Sequence, residues 1–153
     1  MSRPSGAAAA APEPRMLSGR ERALLVALEL FVGIGAIYGG VSLVTDAEGF
    51  GVEESWLDGT PFTGYAVPGS VLLVIGVAML AAALLAVVGS RLAAHAALVM
   101  GVVQFCFLVV ETLLIGYQGG QQITLVAVIA ASALLLAMVG GRALRRRRGN
   151  RDH

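Results

Sequence analysis

Four long apolar stretches dominate the hydropathy pattern of the chain, and polar residues collect at its two ends and in one loop. The stretches cover residues 23–44, 67–88, 93–117 and 122–141. Each can form a helix that crosses a hydrocarbon core about 30 Å thick. The turns at 89–91 and 118–121 are short, so the spans that they join are antiparallel neighbours. The pattern therefore predicts an all-α membrane protein, an antiparallel four-transmembrane-helix bundle.

Polar and low-complexity segments divide the rest of the chain. Residues 1–19 are rich in Ala and Pro and predict a disordered tail, because they have too little apolar surface to bury. Residues 20–143 form the predicted membrane domain, in which 45–66 is the outer loop. Residues 144–153 form a basic tail. Ser18 and Glu21 have the spacing of a capping box, which predicts a helix start there.

The outer loop carries an acidic, amphipathic segment. We expect GVEESWLDG to form a short helix at the outer mouth of the bundle, with Trp56 at headgroup level and its carboxylates in water. The loop lacks the spacing of a calcium-binding loop, so its acidic residues are interpreted as a solvated surface. Thr60 is predicted to cap a helix that begins at Pro61.

Small residues recur at helical spacing in three spans, which indicates helices that approach each other closely. In span 1 the stripe also contains a carboxyl group. The stripes are Glu29, Gly33, Ala36 and Gly40 in span 1, Ala78, Ala82, Ala86 and Ser90 at span 2, and Ala130, Ala133, Ala137 and Gly140 in span 4.

Charge adds an orientation to this architecture. The chain has 57% hydrophobic residues, and its 11 basic residues are all arginine. They lie in both tails and in the turn after span 2, whereas the outer loop is acidic. The positive-inside rule therefore predicts that both termini are cytosolic. Abundant Ala, Gly and Val are typical of a GC-rich bacterial genome, which predicts a bacterial plasma membrane. Arg145–Arg148 are expected to contact anionic lipids, and no nucleic-acid binding is expected.

Two carboxyl groups fall inside predicted spans, and such groups are hypotheses of function because burying them is costly. Glu29 lies roughly 9 Å from the inner end of span 1. An ion pair with Arg142, Arg91 or His95, all near the inner side, is the preferred interpretation. A transport role is the alternative.

Glu111 lies near the outer end of span 3, where no cationic side chain is available. It shares a helical stripe with Gln104, and Tyr38 lies at a similar depth. One hypothesis is a partly protonated carboxyl group hydrogen-bonded to Gln104 and Tyr38. The alternative is an ordinary residue at a wet mouth of the bundle.

Other site chemistry is not expected. Cys106 is the sole cysteine and His95 one of only two histidines, so we expect neither a metal site nor a cofactor. An enzyme is not expected either, because the polar groups inside the spans are too few for acid–base catalysis.

Two motifs carry a family resemblance. GTPFTGYAVPG at the entry to span 2 and ETLLIGYQGGQQ at the end of span 3 resemble small, uncharacterised four-helix bacterial membrane proteins of actinobacterial type. The general layout is similar to the DoxX-like four-helix membrane proteins. The likeness covers most of residues 20–143 and implies the fold without implying site residues. Small multidrug transporters also carry a Glu in helix 1, but the long acidic loop and the arginine-rich ends depart from that pattern.

The sequence therefore favours a non-enzymatic, multi-pass membrane protein with a structural, regulatory or partner-binding role. The alternative is a small oligomeric transporter, or a proton- or cation-coupled carrier, that uses Glu111 or Glu29. The expected partners are the lipid bilayer and either further copies of the chain or another membrane protein.

Overall fold

The computed structural model describes residues 17–115 and 120–149, with side chains except at 115, 120–125 and 146–149. The described residues form four long helices and one short 3₁₀ helix. The long helices are α1 (Gly19–Thr45), α2 (Ala66–Val87), α3 (Ala93–Ile115) and α4 (Gly120–Gly149), and the 3₁₀ helix is Glu54–Leu57. All four long helices contain a stretch apolar and long enough to cross a membrane, which confirms the prediction of four spanning helices.

The structure describes part of the predicted basic tail. The segment interpreted as a basic tail continues α4 as far as Gly149, because nothing in the arginine run interrupts a helix. The predicted disordered tail falls almost entirely on residues 1–16, which lie outside the described residues. The expected turn at 118–121 also lies largely outside them.

The capping box predicted at the start of α1 is present. The Glu21 backbone N–H donates to the Ser18 hydroxyl at 3.2 Å, and the Ser18 backbone N–H donates to the Glu21 carboxylate at 2.9 Å. These bonds satisfy two backbone donors that a helix N-terminus otherwise leaves without partners. The helix therefore begins four residues before the predicted span.

Helices α1 and α2 pack with their backbones in contact. A Cβ on Gly76 would lie 2.9 Å from the Gly33 carbonyl oxygen, and one on Gly40 would lie 2.8 Å from the Gly69 carbonyl oxygen. Residue numbers rise along α1 as they fall along α2 at these contacts, so the two helices run antiparallel. Lipid tails are as apolar as the helix surfaces, so the hydrophobic effect does not drive helices together in a membrane. Close packing of this kind supplies the attraction between them instead.

Helices α3 and α4 form a second close pair. A Cβ on Gly101 would lie 2.7 Å from the Ala133 carbonyl oxygen, and one on Gly140 would lie 2.6 Å from the Ala94 carbonyl oxygen. These helices also run antiparallel. Ala133 and Gly140 belong to the small-residue stripe predicted for span 4, so that stripe faces α3.

A tight turn joins the two pairs. Gly89 has a positive φ of 70° in the connection between α2 and α3, a conformation that side chains disfavour. A Cβ there would lie 3.4 Å from a guanidinium nitrogen of Arg22. The start of α1 and the α2–α3 turn therefore lie at the same end of the bundle, and α1 and α3 run in the same direction.

The apolar core lies where the two pairs meet. All four helices contribute to it, through Leu25, Ile75, Met79, Ala82, Ala97, Met100, Leu136 and Val139. The outer faces carry large apolar side chains that no protein atoms cover, such as Phe31, Val74 and Leu113 at 65%, 69% and 79% exposure. A surface of this kind suits lipid, since soluble proteins rarely expose large contiguous apolar areas.

The outer loop contains the expected short helix as a single 3₁₀ turn. Leu57 is buried and this turn packs against α3, while Trp56 is half-buried. The predicted Thr60 cap is wrong, because the Thr60 hydroxyl donates to the Leu57 carbonyl at 2.8 Å and α2 begins only at Ala66. Thr60 therefore ends the 3₁₀ turn instead of starting a helix.

Candidate functional site

Three polar side chains are buried inside the bundle in the described part of the chain. They are Glu29 in α1, Gln104 in α3 and Ser132 in α4, with 0%, 3% and 5% of their surfaces exposed. The other buried side chains of the described residues are apolar except for Tyr65, whose hydroxyl lies in the outer loop. These three residues are called the polar layer below.

Helix periodicity places each member of the polar layer one turn from a residue of the apolar core. Glu29 lies four residues after Leu25, and Gln104 lies four residues after Met100. Ser132 lies four residues before the core residue Leu136, on a helix that runs opposite to α3. Since four residues make about one helical turn, each polar residue shares the buried face of its own helix with a residue of that cluster.

The hydrogen bonding of the layer is incomplete. The Ser132 hydroxyl donates to the Val128 carbonyl at 2.8 Å, which is a bond within its own helix. Neither carboxyl oxygen of Glu29 has a hydrogen-bond partner among the described residues. The amide oxygen and nitrogen of Gln104 also lack partners there. Buried polar atoms without partners are rare and costly, so these four atoms mark the most unusual site in the described structure.

The predicted ion pair of Glu29 is not formed. Its oxygens have no hydrogen bond to Arg142, Arg91 or His95, and all three of those side chains are exposed. Long cationic side chains near helix ends reach toward water, where their charge stays solvated. The sequence correctly placed these groups at the end of the bundle near Glu29 but did not reveal that their side chains are exposed.

The predicted contact of Gln104 with Glu111 and Tyr38 is also not formed. The Gln104 amide has no partner, and Tyr38 is 67% exposed. The Tyr38 ring lies edge-on against Phe50, with the ring centroids 5.8 Å apart. Glu111 is half-buried, in contrast to Glu29 and Gln104. The face of α3 that carries Gln104 is therefore buried from Ala97 to Leu108, whereas Glu111 near its outer end is only half-buried.

Apolar side chains surround the carboxyl group of Glu29. The buried residues of α2 comprise Ile75, Met79 and small residues, and none of them carries a charge. The described residues contain no cluster of three metal-ligating side chains. The arrangement can hold a proton or another small polar ligand on its oxygens.

Ser132 is the member of the site that sequence reasoning missed. It stands in an Ala- and Leu-rich stretch of α4, one turn before Leu136. A single hydroxyl on a transmembrane helix is inconspicuous, because it can donate to its own backbone, as it does here. Its level relative to Gln104 depends on the register of α3 against α4, which the sequence does not specify.

A second polar region lies on the outer loop. The Tyr65 hydroxyl donates to the Glu53 carbonyl at 2.6 Å and so ties the loop to the start of α2. Burial raises the pKa of Tyr65, and the nearby carboxylates of Glu54 and Glu53 raise it further. The side chains of Glu53, Glu54 and Asp58 remain exposed, beside a shallow cleft of about 260 Å³. The loop is thus an ordered acidic surface.

Comparison with known proteins adds no identity. No family model matches the chain, and neither the curated proteins nor the solved structures yielded a match.

Proposed function

We propose that this chain is a non-enzymatic integral membrane protein of the bacterial plasma membrane that acts by binding a partner at its outer surface. The observation that carries the proposal is the ordered acidic loop. The bond from Tyr65 to Glu53 and the burial of Leu57 hold this loop in one conformation. A preorganised surface loses less conformational entropy on binding than a mobile one does. The exposed carboxylates favour a partner with a basic surface.

The proposed orientation has both termini of the antiparallel bundle in the cytosol. Arg20 and Arg22 stand at the start of α1, beside the turn that carries Arg91, and the acidic loop follows the far end of α1. This distribution supports cytosolic termini by the positive-inside rule. Contact of Arg145–Arg148 with anionic lipids belongs to the same proposal.

Cysteine accessibility tests the orientation. Cys106 is exposed on α3, so the variants are made in a Cys106→Ala background. In intact cells an impermeant thiol reagent is expected to label Asp58→Cys and to leave Arg146→Cys unlabelled. Labelling at Arg146→Cys in intact cells would contradict the orientation.

Native mass spectrometry of the protein in mild detergent tests partner binding. We expect the full chain to retain further copies or another protein, and Glu53→Lys combined with Glu54→Lys to lose that partner. The matched control is Glu21→Gln, which removes a carboxylate at the opposite end of α1. A parent protein that is a monomer without bound protein, or an equal loss in the control, would contradict the proposal.

A proton- or cation-coupled carrier is the second candidate, and the unpartnered carboxyl group of Glu29 favours it. A carrier needs an intramembrane group that exchanges its proton or cation, and such groups lie inside the bundle. In proteoliposomes with an imposed sodium or potassium gradient, the parent should move protons, Glu29→Gln should not, and Glu111→Gln should retain the flux. Equal flux in the parent and Glu29→Gln would exclude this role for Glu29.

The resemblance to small four-helix bacterial membrane proteins and to the DoxX-like layout stays a prediction. It agrees with the proposed function only in the number of spans, and no site residue depends on it.

A further inference from the structure

Two aromatic rings meet on the outside of the bundle, where the chain leaves α1. The Tyr38 ring lies edge-on against Phe50, with the ring centroids 5.8 Å apart and the ring planes at 72° to each other. Edge-on aromatic pairs are favourable beyond the area that they bury, so this contact holds the two rings together. Both side chains nevertheless remain exposed, at 67% and 42% of their surfaces. Much of their apolar surface is therefore left for something other than this chain to cover.

Tyr38 places this pair well before the C-terminal end of α1. It lies seven residues before Thr45, the last residue of the helix, which corresponds to roughly 10 Å along the helix axis. Helical side chains lean toward the N-terminus of their helix, so the Tyr38 ring lies no closer to the C-terminal end than its backbone does. Phe50 follows Thr45 by five residues, yet its ring lies beside that of Tyr38. The chain after α1 therefore folds back along the outside of the helix.

Hydrogen bonds hold the returning chain in one conformation. The Phe50 backbone N–H donates to the Asp46 carbonyl at 3.1 Å, and the Val52 N–H donates to the Ala47 carbonyl at 3.0 Å. Such bonds satisfy backbone groups within the segment itself, which matters near lipid because acyl chains offer them no partners. The segment from Asp46 to Val52 is called the return turn below.

The face of α1 that carries Tyr38 is the face suited to lipid. Its residues recur at spacings of three and four, which places them on one stripe of the helix. They are Phe31, Ile34, Tyr38 and Val41, with 65%, 60%, 67% and 46% of their surfaces exposed. Since α1 is long and apolar enough to cross a membrane, the bilayer is the natural cover for this stripe. The Phe50 ring is continuous with it through Tyr38.

We propose that the Tyr38–Phe50 pair is a membrane anchor of the outer loop, inserted at the boundary between the lipid headgroups and the acyl chains. Aromatic side chains favour that boundary, because the ring is covered by acyl chains while a phenol hydroxyl still reaches water or headgroup oxygens. The partner of this surface is the lipid bilayer. The anchor goes beyond the proposed protein partner, since it concerns how the loop is attached to the membrane and not what its carboxylates bind.

Charges on the return turn limit the depth of the anchor. Asp46 and Glu48 precede Phe50 and have exposed side chains, and Glu53 and Glu54 follow the turn with exposed side chains as well. Carboxylates are costly to place in hydrocarbon, so the turn lies along the membrane surface and only the aromatic rings enter. The acidic part of the loop is thereby held next to the headgroups, on the water side.

Fluorescence of a single tryptophan in lipid vesicles tests the anchor. Phe50→Trp is made in a Trp56→Phe background, so that position 50 carries the sole indole. The full chain is reconstituted in vesicles of phosphatidylcholine and phosphatidylglycerol whose acyl chains carry bromine either near the headgroup or near the chain end. Bromine near the headgroup should quench most of the fluorescence, bromine near the chain end should quench less, and aqueous acrylamide should quench little.

Ser55→Trp in the same background is the matched control, because Ser55 is exposed on the acidic 3₁₀ turn. It should be quenched by acrylamide and not by brominated lipid. The same response from Phe50→Trp would overturn the proposal. Protection of Phe50→Trp from both quenchers would overturn it as well, since a protein surface instead of lipid would then cover the pair.

A further change tests the contribution of Tyr38. Tyr38→Ala, added to Phe50→Trp, removes the ring against which the indole packs, so lipid quenching should decrease and acrylamide quenching should increase. Tyr38→Phe retains the ring and should leave both kinds of quenching unchanged. If Tyr38→Ala also leaves them unchanged, the aromatic pair is not what anchors the loop and the proposal is wrong.

Discussion

Gly33 of α1 and Gly76 of α2 bring two backbones into direct contact. A Cβ on Gly76 would lie 2.7 Å from a side-chain carbon of Ile37 and 2.9 Å from the Gly33 carbonyl oxygen. Backbone atoms cannot move away as the end of a flexible side chain can. This contact sets the spacing of the first helix pair, and it bears on the polar layer because Glu29 lies one turn from Gly33 on the same face.

Substitution of Gly76 by Ala should therefore destabilise the bundle. Overpacking of a close contact typically costs about 1–3 kcal/mol. Gly35→Ala is the control, because a Cβ there meets nothing within 4 Å and replaces a poor helix former by a good one. Thermal unfolding in detergent should show a lower midpoint for Gly76→Ala and an unchanged or higher one for Gly35→Ala. Equal midpoints would show that the glycine contact does not hold the pair.

The capping box at Ser18 gives a prediction about the start of α1. Ser18→Ala removes the oxygen that accepts the Glu21 backbone N–H, and loss of such a cap costs about 1 kcal/mol. Hydrogen exchange of the first-turn amides should become faster, whereas Ser70→Ala should have little effect on α2. The Ser70 hydroxyl donates to the Ala66 carbonyl within its own helix and caps nothing. Unchanged exchange after Ser18→Ala would contradict the role of the cap.

The bond from Tyr65 to Glu53 should make the outer loop sensitive to alkaline pH. The folded-state pKa of Tyr65 lies above its ordinary value of 10.0, so the folded state favours the neutral phenol. The stabilisation that the neutral Tyr65 phenol provides is complete below the pKa of this group in the unfolded chain. It is lost as pH rises through the pKa of the group in the folded state. Loop order should therefore decrease above about pH 10, where the phenol ionises and can no longer donate.

Trp56 is the sole tryptophan and stands in the loop, so its fluorescence reports this change. Tyr65→Phe should lower loop stability by about 1 kcal/mol and remove the transition. Tyr38→Phe, a change at an exposed tyrosine, should keep the transition of the parent. If the alkaline transition persists in Tyr65→Phe, a group other than Tyr65 causes it.

Hydropathy and local chemistry predicted much of this fold. The four spans follow from segment length, and the capping box follows from Ser18 and Glu21 alone. The stripe containing Gly33 and Gly40 correctly indicated a close helix contact. The partner glycines on α2, Gly69 and Gly76, were missed because the alanines of that helix suggested a different face. Span length, a capping box and a stripe of small residues each depend on residues that are close together in the sequence. They can therefore be predicted from the sequence alone.

The candidate site could not be predicted in the same way. Glu29 and Glu111 are both carboxyl groups in apolar helices, and the sequence favoured Glu111 as the unpaired group. Which of them faces the core depends on the rotation of each helix against its neighbours. Arg142 and His95 share the end of the bundle near Glu29 but point outward, for the same reason. The depth of a residue in the membrane follows from its position along the span. The direction in which its side chain points depends on how the helices pack.

The central claim is that the bundle buries the polar groups of Glu29 and Gln104 without hydrogen-bond partners among the described residues, and a double-mutant cycle tests it most directly. Glu29→Met and Gln104→Met remove the polar groups singly and together while retaining unbranched side chains of similar length. Each single change removes a buried group that has no partner, so it leaves no other group unpaired.

The free energy of unfolding is measured at neutral pH by denaturant titration of all four proteins in detergent. The account predicts that both single variants are at least as stable as the parent and that their effects add within about 0.5 kcal/mol. Single variants that are destabilised, with a double variant more stable than their sum, would contradict it, because the carboxyl and amide groups would then be bonded to each other.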